Sequence, residues 1–100
     1  THFIMLIQAP YTVGDVVSVK LSSGEETVCR LEEIKDNAII VKKPLMLVAG
    51  ENGAGLAPFM FTVDPDAKFE FSLNNIICVV KTVKDAADMY IKATTGIQTV

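Results

Sequence analysis

Residues 14–48 read GDVVSVKLSSGEETVCRLEEIKDNAIIVKKPLMLV, and this stretch predicts three consecutive antiparallel β-strands. Residues with β-branched side chains recur at short spacing, and the breaks between the runs carry turn residues instead of helix caps. In the first strand Val17, Val19 and Leu21 alternate with polar residues, which gives one apolar face and one solvated face. We therefore expect a sheet that buries one of its two sides.

Turn residues separate the three strands. The first strand ends at residues 22–24, Ser-Ser-Gly, and the second strand, residues 25–34, ends at residues 35–37, Lys-Asp-Asn. Asp and Asn favour tight turns because their side chains bond to nearby backbone groups and tolerate left-handed φ angles. The third strand, residues 38–48, is apolar apart from its central Lys-Lys-Pro.

The next part of the chain predicts a loop and two further strands. Residues 49–55, AGENGAG, predict a flexible loop, because an ordered glycine loses much backbone entropy. Phenylalanines recur at alternate positions in residues 56–63, and apolar side chains do so in residues 69–73, as in half-buried strands. Residues 64–66, Asp-Pro-Asp, leave two alternatives open: a hairpin around this break, or one long strand with a bulge there.

The carboxyl-terminal part changes from strand to helix periodicity. Residues 74–75, Asn-Asn, predict a turn, and residues 76–83 predict a last apolar strand. Apolar side chains then recur at three- and four-residue spacing, so residues 84–95 predict a short amphipathic helix. We expect one domain over residues 1–100, with its strand core at about residues 14–82.

Composition limits the class of protein. Half of the 100 residues are hydrophobic, which is high for a monomer of this size and favours oligomerisation. Twelve acidic residues against nine basic ones give a net charge of −3. The chain therefore lacks the basic excess of most nucleic-acid binders, although this does not exclude a local basic patch.

The cysteines and the amino end indicate a compartment. Cys29 and Cys78 lie within apolar strand patterns, which favours reduced core thiols over a disulfide between them. The apolar run at residues 3–7 predicts a short strand or the buried end of a helix, and it is too short for a signal peptide or a membrane span. We therefore expect a soluble, cytoplasmic protein without a membrane partner.

Catalytic and metal chemistry have little support in the sequence. His2 is the sole histidine, which argues against a histidine-based triad and against a histidine-rich zinc site. The carboxylate pairs at residues 25–26 and 32–33 are adjacent on strands, so their side chains point to opposite faces. We expect no enzyme activity, no catalytic residue, no metal and no cofactor.

The order of elements resembles the Sm and Sm-like family, to which the Hfq proteins belong. The residues that carry the resemblance are Val17, Val19, Leu21, Gly24 and Leu31 in the first motif and Asn74, Asn75 and Ile76 at the end of the second. The resemblance implies a small, strongly bent, five-stranded antiparallel barrel of SH3-like type, here with a short carboxyl-terminal helix. It also implies a closed homo-oligomeric ring, in which the fourth strand of one subunit pairs with the fifth strand of the next.

A narrower resemblance is to uncharacterised Sm-like proteins of marine cyanophages, which implies the host cytoplasm as the location. The family resemblance further implies binding of nucleic acid, most of all single-stranded RNA, with DNA as the other option. The candidate residues near the ring pore are Lys35, Asp36, Asn37, Ser72 and Asn74. The candidate phosphate contacts are Lys42 and Lys43, joined by Lys20 and Arg30 from neighbouring strands.

Two departures from the family pattern leave alternatives open. Cys29 stands where the family usually has a second glycine, so the sharp bend there must arise differently. Ser72 and Leu73 stand where the family has an Arg-Gly pair, so the charge and the stacking surface of the arginine are lost. The alternative to RNA binding is a structural or protein-interaction ring, such as a phage assembly scaffold, that has lost the pocket.

The candidate residues also have ordinary structural roles. Residues 35–37 can form a turn without any ligand, and the lysines of the third strand can protect a sheet edge from pairing. The four phenylalanines of residues 59–71 can stack on bases if they are exposed, but at alternate positions they more often pack in a core or an interface.

Overall fold

The structure is a computed structural model that describes residues 11–95. The predictions for residues 3–7 and for His2 lie outside this range. Within it the elements are β1 (Val16–Leu21), β2 (Glu26–Ile34), β3 (Ala38–Gly50), β4 (Gly53–Pro58), β5 (Lys68–Ser72), the 3₁₀ turn Leu73–Asn75, β6 (Ile76–Lys81) and α1 (Lys84–Thr95). A β domain with a short carboxyl-terminal helix is therefore confirmed, and the described strands number six where the resemblance implies five.

The longest strand, β3, has different partners on its two edges. One edge pairs with β2, and the other pairs with β5 along residues 38–42 and with β4 along residues 45–50. β4 and β5 thus lie end to end beside β3, and residues 59–67 connect them without regular structure. The hairpin alternative is therefore wrong. One interrupted strand is closer to the finding, but the interruption is this connecting loop and not a bulge.

Residues 49–55 form the tip of a β-hairpin, so the prediction of a flexible loop is wrong. Ala49 pairs with Ala54 and Gly50 pairs with Gly53 across a tight turn. Gly53 adopts a φ of +108°, a conformation that glycine enters without the strain a side chain would add. Gly53 therefore allows the tight turn between β3 and β4.

The pairing of β2 with β3 is irregular at two points. The pairing of β2 with β3 shifts register between Val28 and Arg30, and again between Leu31 and Glu33. Such bulges increase the local bend and twist of a strand. The first shift places the extra residue in β3, between Lys42 and Leu45, and the second places it in β2, between Leu31 and Glu33. Cys29 lies opposite the first irregularity, but β2 itself carries no extra residue there.

Two hydrophobic clusters cover the two faces of the sheet. The members of the larger cluster are Val17, Val19, Leu21, Cys29, Leu31, Ile39, Val41 and Phe71. The smaller cluster joins Val16 and Val28 to Tyr90 of α1. Because neighbouring residues of a strand point to opposite faces, α1 lies on the face opposite the larger cluster. The predicted apolar face of β1 and the predicted helix are both confirmed. The expectation that only one side of the sheet is buried is wrong, because α1 covers Val16 and Val28 on the opposite face.

No helix within residues 11–95 is long and apolar enough to cross a bilayer.

The last strand, β6, lies at an edge of the sheet, since it pairs with β1 alone among the described strands. Two apolar side chains of β6 are exposed, Ile77 at 63% and Val80 at 54%.

Both cysteines are free thiols, Cys29 buried and Cys78 exposed. The prediction of core thiols is therefore correct for Cys29 and wrong for Cys78.

Candidate nucleic-acid interface

The turn after β2 and the 3₁₀ turn before β6 lie side by side at one end of the sheet. The pairing of β3 with β5 places Ser72 opposite Ala38. The backbone N–H of Leu73 donates to the carbonyl oxygen of Asn37 at 3.0 Å. Two distant stretches of sequence thereby bring together the candidate residues Lys35, Asp36, Asn37, Ser72 and Asn74. We call these five residues the turn cluster.

Local hydrogen bonds hold each half of the turn cluster. The Lys35 N–H donates to the carbonyl oxygen of Ala38 at 2.8 Å and closes the β2–β3 turn. The Asn74 N–H donates to Ser72 Oγ at 3.2 Å and caps the 3₁₀ turn. Lys35, Asp36 and Asn37 are exposed. They offer an ammonium, a carboxylate and an amide, groups that can contact a phosphate or the edge of a base.

A cavity of about 400 Å³ opens beside Ser72. Its lining residues include three serines, the acidic Glu70 and three phenylalanines: Ser22, Ser23, Ser72, Glu70, Phe59, Phe69 and Phe71. The carbonyl oxygen of Asn75 accepts a hydrogen bond from the Ser22 N–H at 2.8 Å, which fixes the 3₁₀ turn to the β1–β2 turn. Hydroxyl groups beside apolar rings suit a planar ligand with polar edges.

The candidate phosphate contact Lys42 lies about 13 Å along β3 from the turn cluster, at the strand rise of about 3.3 Å per residue. Its cross-strand partners are Arg30 of β2 and Lys68 of β5. We call Arg30, Lys42 and Lys68 the basic row. Cross-strand partners share one face of a sheet, so the three cationic side chains lie on the same face.

The basic row differs from the basic group expected from the sequence. Lys20 is not part of it, because Lys20 pairs with Glu26 and Cys78 at another part of the sheet. Lys68 belongs to it, although nothing in the sequence around Lys68 marks it. Only the register of β5 against β3 brings Lys68 beside Lys42, and that register is a long-range property of the fold.

Lys43 has a different environment from Lys42. Its ammonium lies 3.2 Å from the Asp66 carboxylate, and its φ of +51° is rare for a residue with a side chain. It precedes the buried Pro44 at the point of β3 where the edge partner changes from β5 to β4. Lys43 is thus engaged by an ion pair, whereas Lys42 lies in the basic row.

The phenylalanines divide into packed and exposed side chains. Phe59 makes edge-to-face contacts with Phe69 and Phe71, with ring centroids 6.4 and 5.7 Å apart. Phe71 is buried in the larger cluster, and the other two pack against it. Phe61 is 81% exposed. The core alternative therefore holds for three of these rings and fails for Phe61.

The strongly shifted pKa values belong to buried groups outside the turn cluster. Burial raises the pKa of the Cys29 thiol to about 12, so almost no thiolate forms at neutral pH. Burial also raises the pKa of the Tyr90 hydroxyl, which keeps it a hydrogen-bond donor. Within residues 11–95, no three His, Cys, Asp or Glu side chains lie close enough together to hold a metal ion.

Comparison with known proteins gives no family for the chain: no family model matches it, and no curated protein matches it.

Proposed function

We propose that this chain is a non-catalytic, Sm-like ring protein that binds single-stranded nucleic acid, with RNA as the first choice. The observation that carries the proposal is the hydrogen bond from Leu73 to Asn37. It joins the β2–β3 turn to the segment before the last strand. These are the two segments that form the base pocket in the family that the sequence resembles.

The strand order supports the Sm-like part of the proposal. β1, β2 and β3 form a meander, and β4 and β5 together occupy the place of a fourth strand beside β3. A 3₁₀ turn then leads into β6, which returns to pair with β1. Among the described residues the outer edges of β5 and β6 have no partner strand. A closed ring would pair these edges, which otherwise invite uncontrolled association.

Binding in this proposal uses two groups of side chains. The turn cluster contacts base edges through Asp36 and Asn37, while Lys35 contacts a phosphate. The basic row contacts the backbone of the same strand further along β3. Because Ser72 replaces the arginine of the family, each subunit binds weakly. Repetition around a ring raises the effective concentration of every later contact, so the ring binds far more tightly than one subunit.

The test is a fluorescence anisotropy titration of the purified protein with uridine-rich, adenine-rich and mixed single strands at low and moderate salt. We expect salt-dependent binding that Asn37→Ala weakens. Asn52→Ala is the matched control, because Asn52 is also an exposed turn asparagine but lies at the tip of the β3–β4 hairpin. Absence of salt-sensitive binding to any RNA or DNA strand would contradict the proposal.

A second candidate function is a structural or protein-interaction ring. It is favoured by the exposed apolar side chains of β6, Ile77 and Val80, and by the net charge of −3. Its test is a pull-down with the tagged protein before and after nuclease treatment. A protein partner that remains after nuclease treatment, together with no binding to any oligonucleotide, would favour this function over the first.

A further inference from the structure

Phe61 is exposed in a way that the packing of the domain does not explain. At 81% it has the highest exposed fraction of the exposed large apolar side chains within residues 11–95. It lies in the loop of residues 59–67 that separates β4 from β5. The preceding aromatic residue of that loop, Phe59, packs against Phe69 and Phe71 instead. The loop therefore holds one ring in the core and presents the next to solvent.

A groove of about 350 Å³ lies beside Phe61. Its lining residues include Lys43, Pro44, Met60, Phe61, Val63 and Pro65. The last turns of α1 form part of one wall through Thr94. Lys43, Asp64 and Thr94 are the polar residues of the lining, and the other lining side chains are apolar, so the groove suits a flat apolar ring of the size of a nucleobase.

The basic row lies next to this groove along the chain. Lys42 precedes Lys43 in β3 and Lys68 precedes Phe69 in β5; Lys43 and Phe69 line the groove, whereas Lys42 and Lys68 do not. Like charges placed directly opposite each other in a sheet are destabilising. Lys68 lies 3.9 Å from Glu32, and the Arg30 guanidinium donates to the carbonyl oxygen of Gly14 at 2.9 Å.

Within the described residues, the Lys42 ammonium lacks a carboxylate partner such as Glu32 provides for Lys68. Among residues 11–95, no carboxylate oxygen lies within 4.0 Å of its ammonium. A bound phosphate at the centre of the basic row would therefore relieve repulsion that the fold leaves in place. The apolar groove and the adjacent cations together match a ligand that carries planar apolar rings on an anionic backbone.

We infer that the groove receives a base of the bound single strand, stacked on the ring of Phe61, while the basic row holds the neighbouring phosphates. This site rests on the proposed nucleic-acid binding and adds a contact distinct from the turn cluster. Stacking on an aromatic ring is tolerant of sequence, because every base has a π-face. A peptide would fill the apolar groove equally well, but it would leave the Lys42 charge uncompensated unless it were acidic.

A single fluorescent probe tests the stacking contact. The chain contains no tryptophan, so Phe61→Trp creates one reporter in the groove. Val83→Trp is the matched control, because Val83 is 72% exposed and lies about 16 Å of helix away from Thr94. Short single-stranded RNA of mixed sequence is titrated into each variant, and protein fluorescence is recorded together with the anisotropy of the labelled RNA.

We expect RNA to quench the fluorescence of Phe61→Trp over the concentration range in which anisotropy rises, and to leave Val83→Trp unchanged. A rise in anisotropy without quenching would overturn the stacking site and leave the proposed function standing. No rise in anisotropy for either variant or for the unmodified protein would overturn both. A protein partner that shields Phe61→Trp from acrylamide, in the absence of RNA binding, would assign the groove to protein docking.

Substitutions separate the contribution of the Phe61 side chain to RNA binding from that of the basic row. Phe61→Ala and Phe61→Leu should each weaken RNA binding at least about fivefold, because leucine keeps the apolar surface but not the stacking face. Lys42→Ala should reduce the slope of log affinity against log salt by about 0.7, the value for one phosphate contact on a single strand. Lys84→Ala, at the far end of α1, is the control and should leave that slope unchanged. Equal slopes for Lys42→Ala and the unmodified protein would remove the basic row from the site.

Discussion

The hydroxyl of Tyr90 lies 2.8 Å from the carbonyl oxygen of Lys43. The same hydroxyl lies 3.1 Å from the carbonyl oxygen of Lys42, and the ring itself is buried. Helix α1 is thereby fixed to the point of β3 where the backbone is irregular and the edge partner changes. Because the groove beside Phe61 is bounded by Lys43 on one side and by α1 on the other, this hydrogen bond also sets the position of the groove walls.

Removing the hydroxyl of Tyr90 should destabilise the domain without unfolding it. Tyr90→Phe keeps the buried ring but leaves two carbonyl oxygens without their donor, a loss of about 1–2 kcal/mol in the free energy of unfolding. Tyr90→Ala should cost about 3–5 kcal/mol, because it also creates a cavity in the smaller cluster. Urea denaturation of both variants measures the difference. Equal losses for the two substitutions would show that the ring contributes nothing beyond its hydroxyl.

The left-handed φ of Lys43 predicts an unusual response to glycine. Glycine relieves a strain of about 1 kcal/mol at +51°, and this offsets the entropy that glycine adds to the unfolded chain. We expect Lys43→Gly to change the free energy of unfolding by less than about 0.5 kcal/mol and Lys42→Gly, the matched control within the same strand, to cost about 1 kcal/mol. The same urea measurement checks both, and a larger loss for Lys43→Gly would contradict the role given to its backbone.

The buried thiol of Cys29 predicts a loss of stability at alkaline pH. Its folded pKa is raised to about 12, while the unfolded value is 9.0. The native state therefore keeps its proton between these values while the unfolded chain loses it. The contribution of the thiol is complete below pH 9.0 and falls by up to about 1.4 kcal/mol per pH unit above it.

The measurement for Cys29 is the free energy of unfolding at several values between pH 8 and pH 10.5 in the presence of a reductant. Cys29→Ala should lower stability at every pH but show a shallower decline above about pH 9. Cys78→Ser is the control, since Cys78 is exposed, and its pH profile should follow that of the unmodified protein. A profile for Cys29→Ala as steep as that of the unmodified protein would assign the alkaline loss to other groups, such as Tyr90.

Substituting Asp66 breaks its ion pair with Lys43, and this should increase the affinity for nucleic acid. Asp66→Asn frees the Lys43 ammonium at the rim of the groove and removes one negative charge, so RNA should bind a few times more tightly at low salt. Asp88→Asn is the matched control: it removes the same charge from an exposed ion pair with Lys84 on α1. If both variants bind RNA more tightly to the same extent, the gain arises from the change in net charge and not from the freed Lys43 ammonium.

The local patterns of the sequence predicted the elements, whereas the pairing of those elements required the structure. The alternation of Val17, Val19 and Leu21 and the helical spacing around Tyr90 arise from neighbouring residues, and both predictions hold. The alternating phenylalanines of residues 56–63 suggested a strand, but the strand ends at Pro58, because alternation alone does not reveal the irregular point of β3 at Lys43 where the edge partner changes from β4 to β5.

The sequence likewise predicted only part of the candidate site. The turn residues Lys35 to Asn37 were identifiable from their chemistry, but their contact with Leu73 depends on the register of β5. The basic row was only partly visible, because Lys68 joins Lys42 across strands that are remote in sequence. The exposure of Cys78 follows from the edge position of β6, which an apolar run does not disclose.

The outer edge of β6 provides the sharpest test of the proposed ring. The Thr82 N–H donates to the carbonyl oxygen of Val16. Val80, two residues before Thr82, pairs with Ser18, and Cys78, four residues before Thr82, pairs with Lys20. Since hydrogen-bonded pairs alternate along an antiparallel ladder, the N–H groups of Val80 and Cys78 point toward β1. The N–H of Val79 must then point outward, where the strand of another subunit would pair.

Proline at these two neighbouring positions should therefore have opposite effects. Val79→Pro removes an outward donor and also part of a side chain that packs against the larger cluster. It should convert the proposed ring to monomers that keep most of their circular dichroism, because an edge strand tolerates proline where its N–H faces away from the sheet. Val80→Pro removes a ladder hydrogen bond to β1 and should unfold or strongly destabilise the domain. Light scattering after size exclusion measures the mass. A folded Val79→Pro variant with the mass of the unmodified oligomer would show that β6 does not form the interface.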